Sequence, residues 1–230
     1  MSIPFRDRID AGQHLAARLT CFRGRDDLIV LGLPRGGVPV AAEVATALGA
    51  PLDVLLVRKL GVPGHEELAM GAIASGGLRV LNLETVHELG IPEEVITQVE
   101  TAERRELDRR ERIYRGSRPP LALAGKTVIV VDDGLATGST MRAAAIAVRA
   151  AEPAWLVGAA PVASLSVCEA MTDVVDEMVC AETPEHFYAV GLWYEDFGQT
   201  TDDEVRRHLA DARQRLATAS APAPLGRDSR

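Results

Sequence analysis

Three observations predict an α/β fold with an open, mainly parallel five-stranded sheet flanked by helices. Short, predominantly apolar runs recur at residues 28–33, 52–57, 126–131, 155–160 and 174–180. Stretches with helical spacing of apolar residues separate most of them. Gly-rich or charged turns follow the first three runs. Continuous apolar runs suit strands buried on both faces, and their alternation with helices builds right-handed βαβ crossovers into one parallel sheet.

The first run, LIVLGL at 28–33, is broken by Pro34, Arg35, Gly36 and Gly37. A helix is expected over 38–49, with Val40, Val44, Ala47 and Leu48 on one face and Gly49 as its stop. LDVLLV at 52–57 completes a βαβ unit. Residues 58–77 are rich in glycine and charge and read as a long mobile loop or a loose hairpin, with a short strand at 78–82. Over 92–112, Pro92 suits a first helical turn, and Glu93 and Glu94 sit at the positive end of its dipole. The apolar stripe Val95, Val99, Ala102 then fades into ERRELDRRER, so this helix is expected to pack by its first half only. Strand 126–131, turn 132–140 and helix 141–151 follow. Next come strand 155–160, a short helix at 164–171, strand 174–180 and a helix over 202–216. The tail 217–230, rich in Ala, Pro and Ser, reads as disordered. One domain over 1–216 is expected, with a core at about 28–180, a mobile loop at 58–77, a helical insertion at 84–114 and a small hood subdomain at about 181–200.

Composition narrows the function. The 230 residues carry 25 Lys+Arg against 33 Asp+Glu, a net charge of −8, which opposes nucleic acid or an anionic membrane as the main partner. No apolar run approaches the roughly 20 residues that span a bilayer, and MSIPFRDRID lacks the apolar core of a secretory leader. Cys21, Cys168 and Cys180 are odd in number and widely spaced. They fit neither a zinc template nor a disulfide framework, so small apolar fillers in a reduced, cytoplasmic setting are expected. A homodimer is left open. Five of the nine aromatics (Phe187, Tyr188, Trp193, Tyr194 and Phe197) crowd into one stretch, which suggests a shared surface or pocket.

The chemistry concentrates in VIVVDDGLATGST, residues 128–140. A buried strand delivers Asp132 and Asp133. A turn containing Gly134, Ala136, Thr137, Gly138, Ser139 and Thr140 then opens a helix. Amides at a helix N-terminus, aided by hydroxyls, make a cradle for phosphate. The carboxylates suit sugar hydroxyls or a divalent metal. The spacing is neither a Walker P-loop, since Gly138 stands before Ser139 where a Lys is required, nor GxGxxG. Ligands in open α/β sheets gather at the carboxyl ends of strands. The loops 34–37, 58–67 and 132–140 should therefore converge on one edge.

This segment resembles the phosphoribosyl-pyrophosphate (PRPP) motif of type I phosphoribosyltransferases, and the resemblance covers roughly 28–200. It implies that Asp132 and Asp133 hold the ribose hydroxyls and ligate Mg²⁺. It implies too that Ala136, Thr137, Gly138, Ser139 and Thr140 hold the 5′-phosphate. Gly134 replaces the usual aliphatic residue, and local flexibility is expected from it. Many oxopurine enzymes carry an Asp where Ala136 stands, and LATGST is more similar to the adenine-type loop. Arg35 and Gly36 resemble the pyrophosphate loop. Arg58 and Lys59 resemble cations of the mobile loop, which would close over the substrates and exclude water. Arg35, Lys59 and either Glu66 or Glu67 are the implied catalytic groups, and His65 reads as a solvated loop residue. Phe187, Trp193 or Tyr194 would stack on the base, and backbone groups at 190–192 would read its edge. The implied reaction transfers the 5-phosphoribosyl group of PRPP to a heterocyclic nitrogenous base, with release of diphosphate, as in nucleotide salvage. The competing reading is a sensor of PRPP or nucleotide on the same fold without turnover. A sugar-phosphate hydrolase lacks a nucleophile in these loops.

Overall fold

The computed structural model describes residues 4–119 and 121–219, with the backbone alone at Glu66, Glu67 and Ala219. Five parallel strands form the main sheet in the order β2-β1-β6-β7-β8. They are β1 (Leu28–Gly32), β2 (Leu52–Val54), β6 (Thr127–Val131), β7 (Trp155–Val162) and β8 (Glu177–Glu182). Every residue of β6 is buried, as expected of a central strand covered on both faces. The chain builds outward from β1 to β2, then returns to β1's other side for β6. The carboxyl ends of β1 and β6 therefore flank the topological switch point, where such sheets open a crevice.

Helix α2 (Gly37–Leu48) crosses from β1 to β2 and is buried on nearly all sides, closed by Gly49 in the left-handed conformation. Two helices cover it. One is α7 (Asp202–Ala219), whose last turn holds residues expected in the tail. The other is α1 (Arg8–Arg18), which the sequence reading missed. Its start is marked by Asp7, whose side chain accepts from the Asp10 amide. Helices α5 (Ser139–Arg149) and α6 (Leu165–Met171, capped by Ser164) complete the core. Residues 220–230, the rest of the expected tail, lie outside the described residues.

The segment expected as a mobile loop or loose hairpin is a hairpin. β3 (Val57–Val62) and β4 (His65–Ala74) pair antiparallel, and β5 (Leu78–Leu81) adds a third strand. Alternation is masked there because Gly61 and Gly71 interrupt it and the β3–β4 register shifts around Gly61. The short helix α3 (Leu83–Glu88) follows, capped by Asn82.

Helix α4 (Glu93–Arg115) corrects a second expectation, because it packs along its whole length. Ile96, Leu107 and Tyr114 are all buried. Separations of 11 and 7 residues return to one face of a 3.6-residue helix. The buried face is therefore Ile96, Leu107 and Tyr114 and not the expected Val95, Val99 and Ala102, of which Ala102 is exposed. Some intervening charges pair along the helix, as Glu106 does with Arg109 and Arg110, and others pair with the small sheet, as Glu103 does with Arg58. At its end Arg115 is buried, within 3.4 Å of Asp53 on β2 and 2.9 Å of Glu111, while it donates to the Pro119 carbonyl at 2.7 Å. Arg118 approaches the same Asp53 at 3.3 Å.

The expectation of three apolar filler cysteines is corrected. Cys168 on α6 and Cys180 on β8 are joined in a disulfide, and Cys21 is free and exposed. The two are 12 residues apart, but α6 packs beside β8 and brings them together, a proximity that spacing alone does not reveal. Among the described residues no helix is long and apolar enough to cross a membrane.

The Asp53 cluster yields a prediction. Asp53→Ala leaves two guanidinium groups short of their shared carboxylate, one of them buried. It should lower unfolding stability by about 3 kcal/mol, read as a lower denaturant midpoint at unchanged slope.

Candidate functional site

Two loops meet at the switch point, one from β1 and one from β6. Strand β6 ends by placing Asp132 and Asp133, both half-buried, at the lip of the sheet. The Asp132 amide donates to the Ala159 carbonyl at 3.2 Å, and its Oδ1 accepts from the Asp133 amide at 2.9 Å. Beyond the pair, Leu135 anchors the turn. Its side chain enters the core and its amide donates to the Val162 carbonyl at 2.9 Å. Gly138 then starts α5 at φ 71°, a left-handed conformation that disfavours any other residue. A Cβ there would also crowd Met171 and Val167 at 3.0 Å.

The result is an open turn. Ala136, Thr137, Ser139 and Thr140 are exposed. The amides of Ala136, Thr137 and Gly138 have no acceptor among the described residues. The Thr137 and Ser139 hydroxyls lie 2.9 Å apart, and the Ser139 amide donates to Thr137 Oγ1 at 3.3 Å. Unpaired amides at the start of a three-turn helix, with hydroxyls beside them, form an anion cradle.

The other loop is pressed against the acidic pair. The Leu33 amide donates to the Val131 carbonyl at 2.9 Å, and the Pro34–Arg35 peptide bond is cis. A Cβ on Gly36 would fall 1.9 Å from Asp133 Oδ2, and one on Gly37 would fall 2.6 Å from the Val131 carbonyl oxygen. Only glycine lets this backbone pass so close to the carboxylates. Arg35 reaches outward instead, with Nη1 3.9 Å from Asp202. Asp202 also accepts from the Tyr114 hydroxyl at 2.5 Å. Burial, helped by that bond, pushes the Tyr114 phenol up to about 12.

The remaining expected residues are spread over the small sheet and the hood. Arg58 is held by Glu103 of α4 at 2.6 Å. Lys59 lines a cleft of about 350 Å³ between the small sheet and α5, together with Ser139 and Arg142. His65, at the start of β4, is exposed. Glu66 and Glu67 have their backbone in β4, and their side chains lie outside the described residues. Phe187 and Trp193 are half-buried and pack around Phe5, Ala11 and Val162. Tyr194 is buried. Its ring lies 5.6 Å from that of Phe5 and 4.9 Å from that of Phe197, and its hydroxyl donates to the Asp133 carbonyl at 2.5 Å. Burial, then the Asp133 charge, raises its pKa.

Gly134 has a packing role besides the flexibility expected of it. A Cβ there would lie 2.4 Å from Val190 Cγ1. The glycine is a seat for the hood, where the turn at Val190–Trp193 settles onto the acidic segment.

Sequence reasoning missed Arg8. Its Nε donates to Asp133 Oδ2 at 2.8 Å and its Nη1 to the Gly198 carbonyl at 2.7 Å. Its guanidinium lies over the Phe197 ring at 4.1 Å. The Asp133 partner lies 125 residues away, so no local motif announces it. The electrostatics show why the pair needs a cation. Burial raises the pKa of Asp132 far above the carboxylate norm, and the charge of Asp133 raises it further. Burial raises that of Asp133 as well, and the Arg8 bond and charge oppose it.

Two adjacent carboxylates, one pinned by an arginine, are a sparse set for a metal. Among the described residues no group of three or more His, Cys, Asp or Glu is placed to hold one. That donor set fits Mg²⁺ that takes most of its oxygens from water and a phosphorylated substrate, and not an all-protein cage.

Fold and site together define a doubly wound α/β protein with an acidic pair and an open anion turn at its switch point. The chain belongs to the phosphoribosyl transferase family: the phosphoribosyl transferase domain model matches residues 7–190. It is similar to TT1426 from Thermus thermophilus, whose crystal structure superposes with a TM-score of 0.83 at 42% identity, covering 91% of this chain and 99% of that one. It is also 46% identical, over 217 residues, to a protein of Mycobacterium tuberculosis strain H37Rv whose name specifies a phosphoribosyl transferase and no substrate. A strain CDC 1551 protein named in the same way matches equally. That alignment takes 94% of this chain and 49% of the relative, so the chain spans about half the length of the curated relatives it matches.

Gly134→Val, which restores an aliphatic residue, should displace Val190 and lower stability by about 1–3 kcal/mol through overpacking. Val190→Ala in the same chain should recover most of that loss in thermal melts.

Proposed function

We propose that this chain is a pentosyltransferase that moves the 5-phosphoribosyl group of PRPP to a nitrogenous base, giving a nucleoside 5′-monophosphate and free diphosphate. A role in nucleotide salvage is part of the reading. The observation that carries it is the turn after β6, where two carboxylates are followed, after two residues, by three amides without acceptors among the described residues. Sugar hydroxyls need acceptors, and a phosphate monoester needs donors. One segment supplies both in the order of a ribose 5-phosphate, ring first and phosphate beyond.

In this reading Asp132 and Asp133 accept from the ribose 2- and 3-hydroxyls. The amides of Ala136, Thr137 and Gly138, with the Thr137, Ser139 and Thr140 hydroxyls, hold the 5-phosphate. The loop at Arg35 and Gly36 lies where the C1 diphosphate would rest. Arg35, Arg58 and Lys59 supply positive charge toward it once freed from their present neighbours. Mg²⁺, when bound, would supply further positive charge to the leaving diphosphate. The C1–O bond breaks with its electron pair going to the diphosphate. A base nitrogen then forms the new bond to C1 from the opposite face, and its proton is lost to a neighbouring acceptor, for which Glu66 or Glu67 is the candidate. The hood from Phe187 to Tyr194 would cover the base, with Trp193 and Phe187 as its flat walls. Fixed charge near the developing anion and a covered site do most of the work.

Two measurements test the reading. Titration calorimetry should show PRPP binding to the native chain and a loss of about 100-fold or more in Asp132→Ala/Asp133→Ala, since both acceptors for the sugar are removed. A diphosphate-release assay across adenine, hypoxanthine, guanine, xanthine, uracil and orotate should find turnover with at least one base. Tight PRPP binding with no turnover on any base would favour the sensor instead. Unchanged PRPP affinity in the double variant would overturn the site assignment.

A further inference from the structure

The acidic pair creates a difficulty for a diphosphorylated donor. Two carboxylates close to C1 repel the leaving group, so cations must stand beside them. The cations expected there are engaged elsewhere. Arg58 is paired with Glu103 at 2.6 Å, Arg35 leans on Asp202 at 3.9 Å, and Lys59 lines the cleft against α5. Arg8, in contrast, touches the acidic pair directly.

Its position is held from three sides. Nε donates to Asp133 Oδ2, Nη1 donates to the Gly198 carbonyl, and the guanidinium face rests on Phe197. Nη2 has no acceptor among the described residues. The group also borders the β1 loop, because a Cβ on Gly36 would come within 3.1 Å of Arg8 Nε. Asp133, Gly36 and Arg8 therefore meet at one point. The loop's own amides help define an anion-binding spot: those of Arg35 and Gly36 have no acceptor among the described residues, whereas those of Gly37 and Val38 bond within the turn.

Stereochemistry identifies what would lie there. In PRPP the diphosphate leaves C1 on the α face of the ribose, the same face as the 2- and 3-hydroxyls. A cation bonded to the carboxylate that receives those hydroxyls stands on the diphosphate side of the ring. We infer that Arg8, supplied by the N-terminal end of α1, is a direct ligand of the donor's diphosphate and offers the spare Nη2 hydrogens beside the Gly36 loop. This assignment rests on the proposed PRPP site and adds a residue from outside the loops that the sequence points to. A side chain only 13% exposed, with Nε and Nη1 each already bonded, loses little freedom when it binds, which favours a strong charge-assisted bond.

The test separates this role from a merely structural grip on Asp133. Native chain, Arg8→Gln and Arg8→Lys are titrated with PRPP, inorganic pyrophosphate and ribose 5-phosphate at one fixed Mg²⁺ concentration, and thermal melts check that all three fold. Gln keeps a donor toward Asp133 and removes the charge. The expected result is a loss of about tenfold or more for PRPP and pyrophosphate in Arg8→Gln. Ribose 5-phosphate should stay within about threefold, and Arg8→Lys should recover part of the pyrophosphate affinity. Pyrophosphate affinity unchanged in Arg8→Gln overturns the inference. So does an equal loss for ribose 5-phosphate and pyrophosphate, which would make Arg8 a prop for the carboxylate. If the native chain binds neither PRPP nor ribose 5-phosphate, the proposed donor site fails and the inference falls with it.

Discussion

Two adjacent carboxylates stand at the end of a strand whose every residue is buried, and most of the local architecture answers that one electrostatic burden. Charge at a half-buried position is costly unless hydrogen bonds or a counter-ion compensate it. Here each carboxylate takes a different solution. Asp132 Oδ1 is bonded by the Asp133 amide, while Asp133 Oδ2 is held by Arg8. Both pKa values still rise, with burial the leading cause. A pair left so poorly neutralised favours any ligand that brings hydroxyl donors or a cation, as a ribose carried with Mg²⁺ would.

The counter-ion comes from the described N-terminal segment. Arg8 can reach Asp133 because the N-terminal segment runs beside the hood. The Phe5 amide donates to the Trp193 carbonyl and the Glu195 amide to the Phe5 carbonyl, both at 2.8 Å. Tyr194 ties the hood to the Asp133 carbonyl, and Gly134 leaves room for Val190. Core, hood and N-terminal arm thus share one contact region around a single dipeptide. The family's aliphatic residue at position 134 would remove the space on which this closeness depends.

The sequence was informative where the physics is local. The buried strands, α2 with its Gly49 stop and the acidic turn with its glycines depend on neighbours within a few residues, and they were legible. The open turn at 136–140 was legible for the same reason, since its glycine and hydroxyl residues mark a strand-to-helix turn by themselves. The illegible features are long-range. Arg8 meets Asp133 across 125 residues, and Cys168 meets Cys180 only because α6 packs on β8. The small sheet was half visible, since glycine and charge mimic a loop when a register shift hides alternation. In α4 the charged residues outnumbered the apolar ones, and a face of three widely spaced side chains passed for a solvated helix.

The small sheet and α4 also show how the candidate cations are divided. Arg58 and Lys59 are neighbours on β3, so alternation sends their side chains to opposite faces. Arg58 goes to Glu103 on α4, and Lys59 goes to the cleft beside Ser139. Arg35 is drawn to the start of α7 by Asp202, which Tyr114 of α4 also engages. Arg58 and Arg35 are held by partly exposed pairs that exchange at small cost, whereas Lys59 lines the cleft that Ser139 also borders. Arg8 is the reverse case, packed against an aromatic ring and mostly buried. A site built this way keeps one fixed charge at its floor and several on movable neighbours. In the proposed donor complex, Arg58 and Arg35 would turn to the diphosphate only by leaving Glu103 and Asp202.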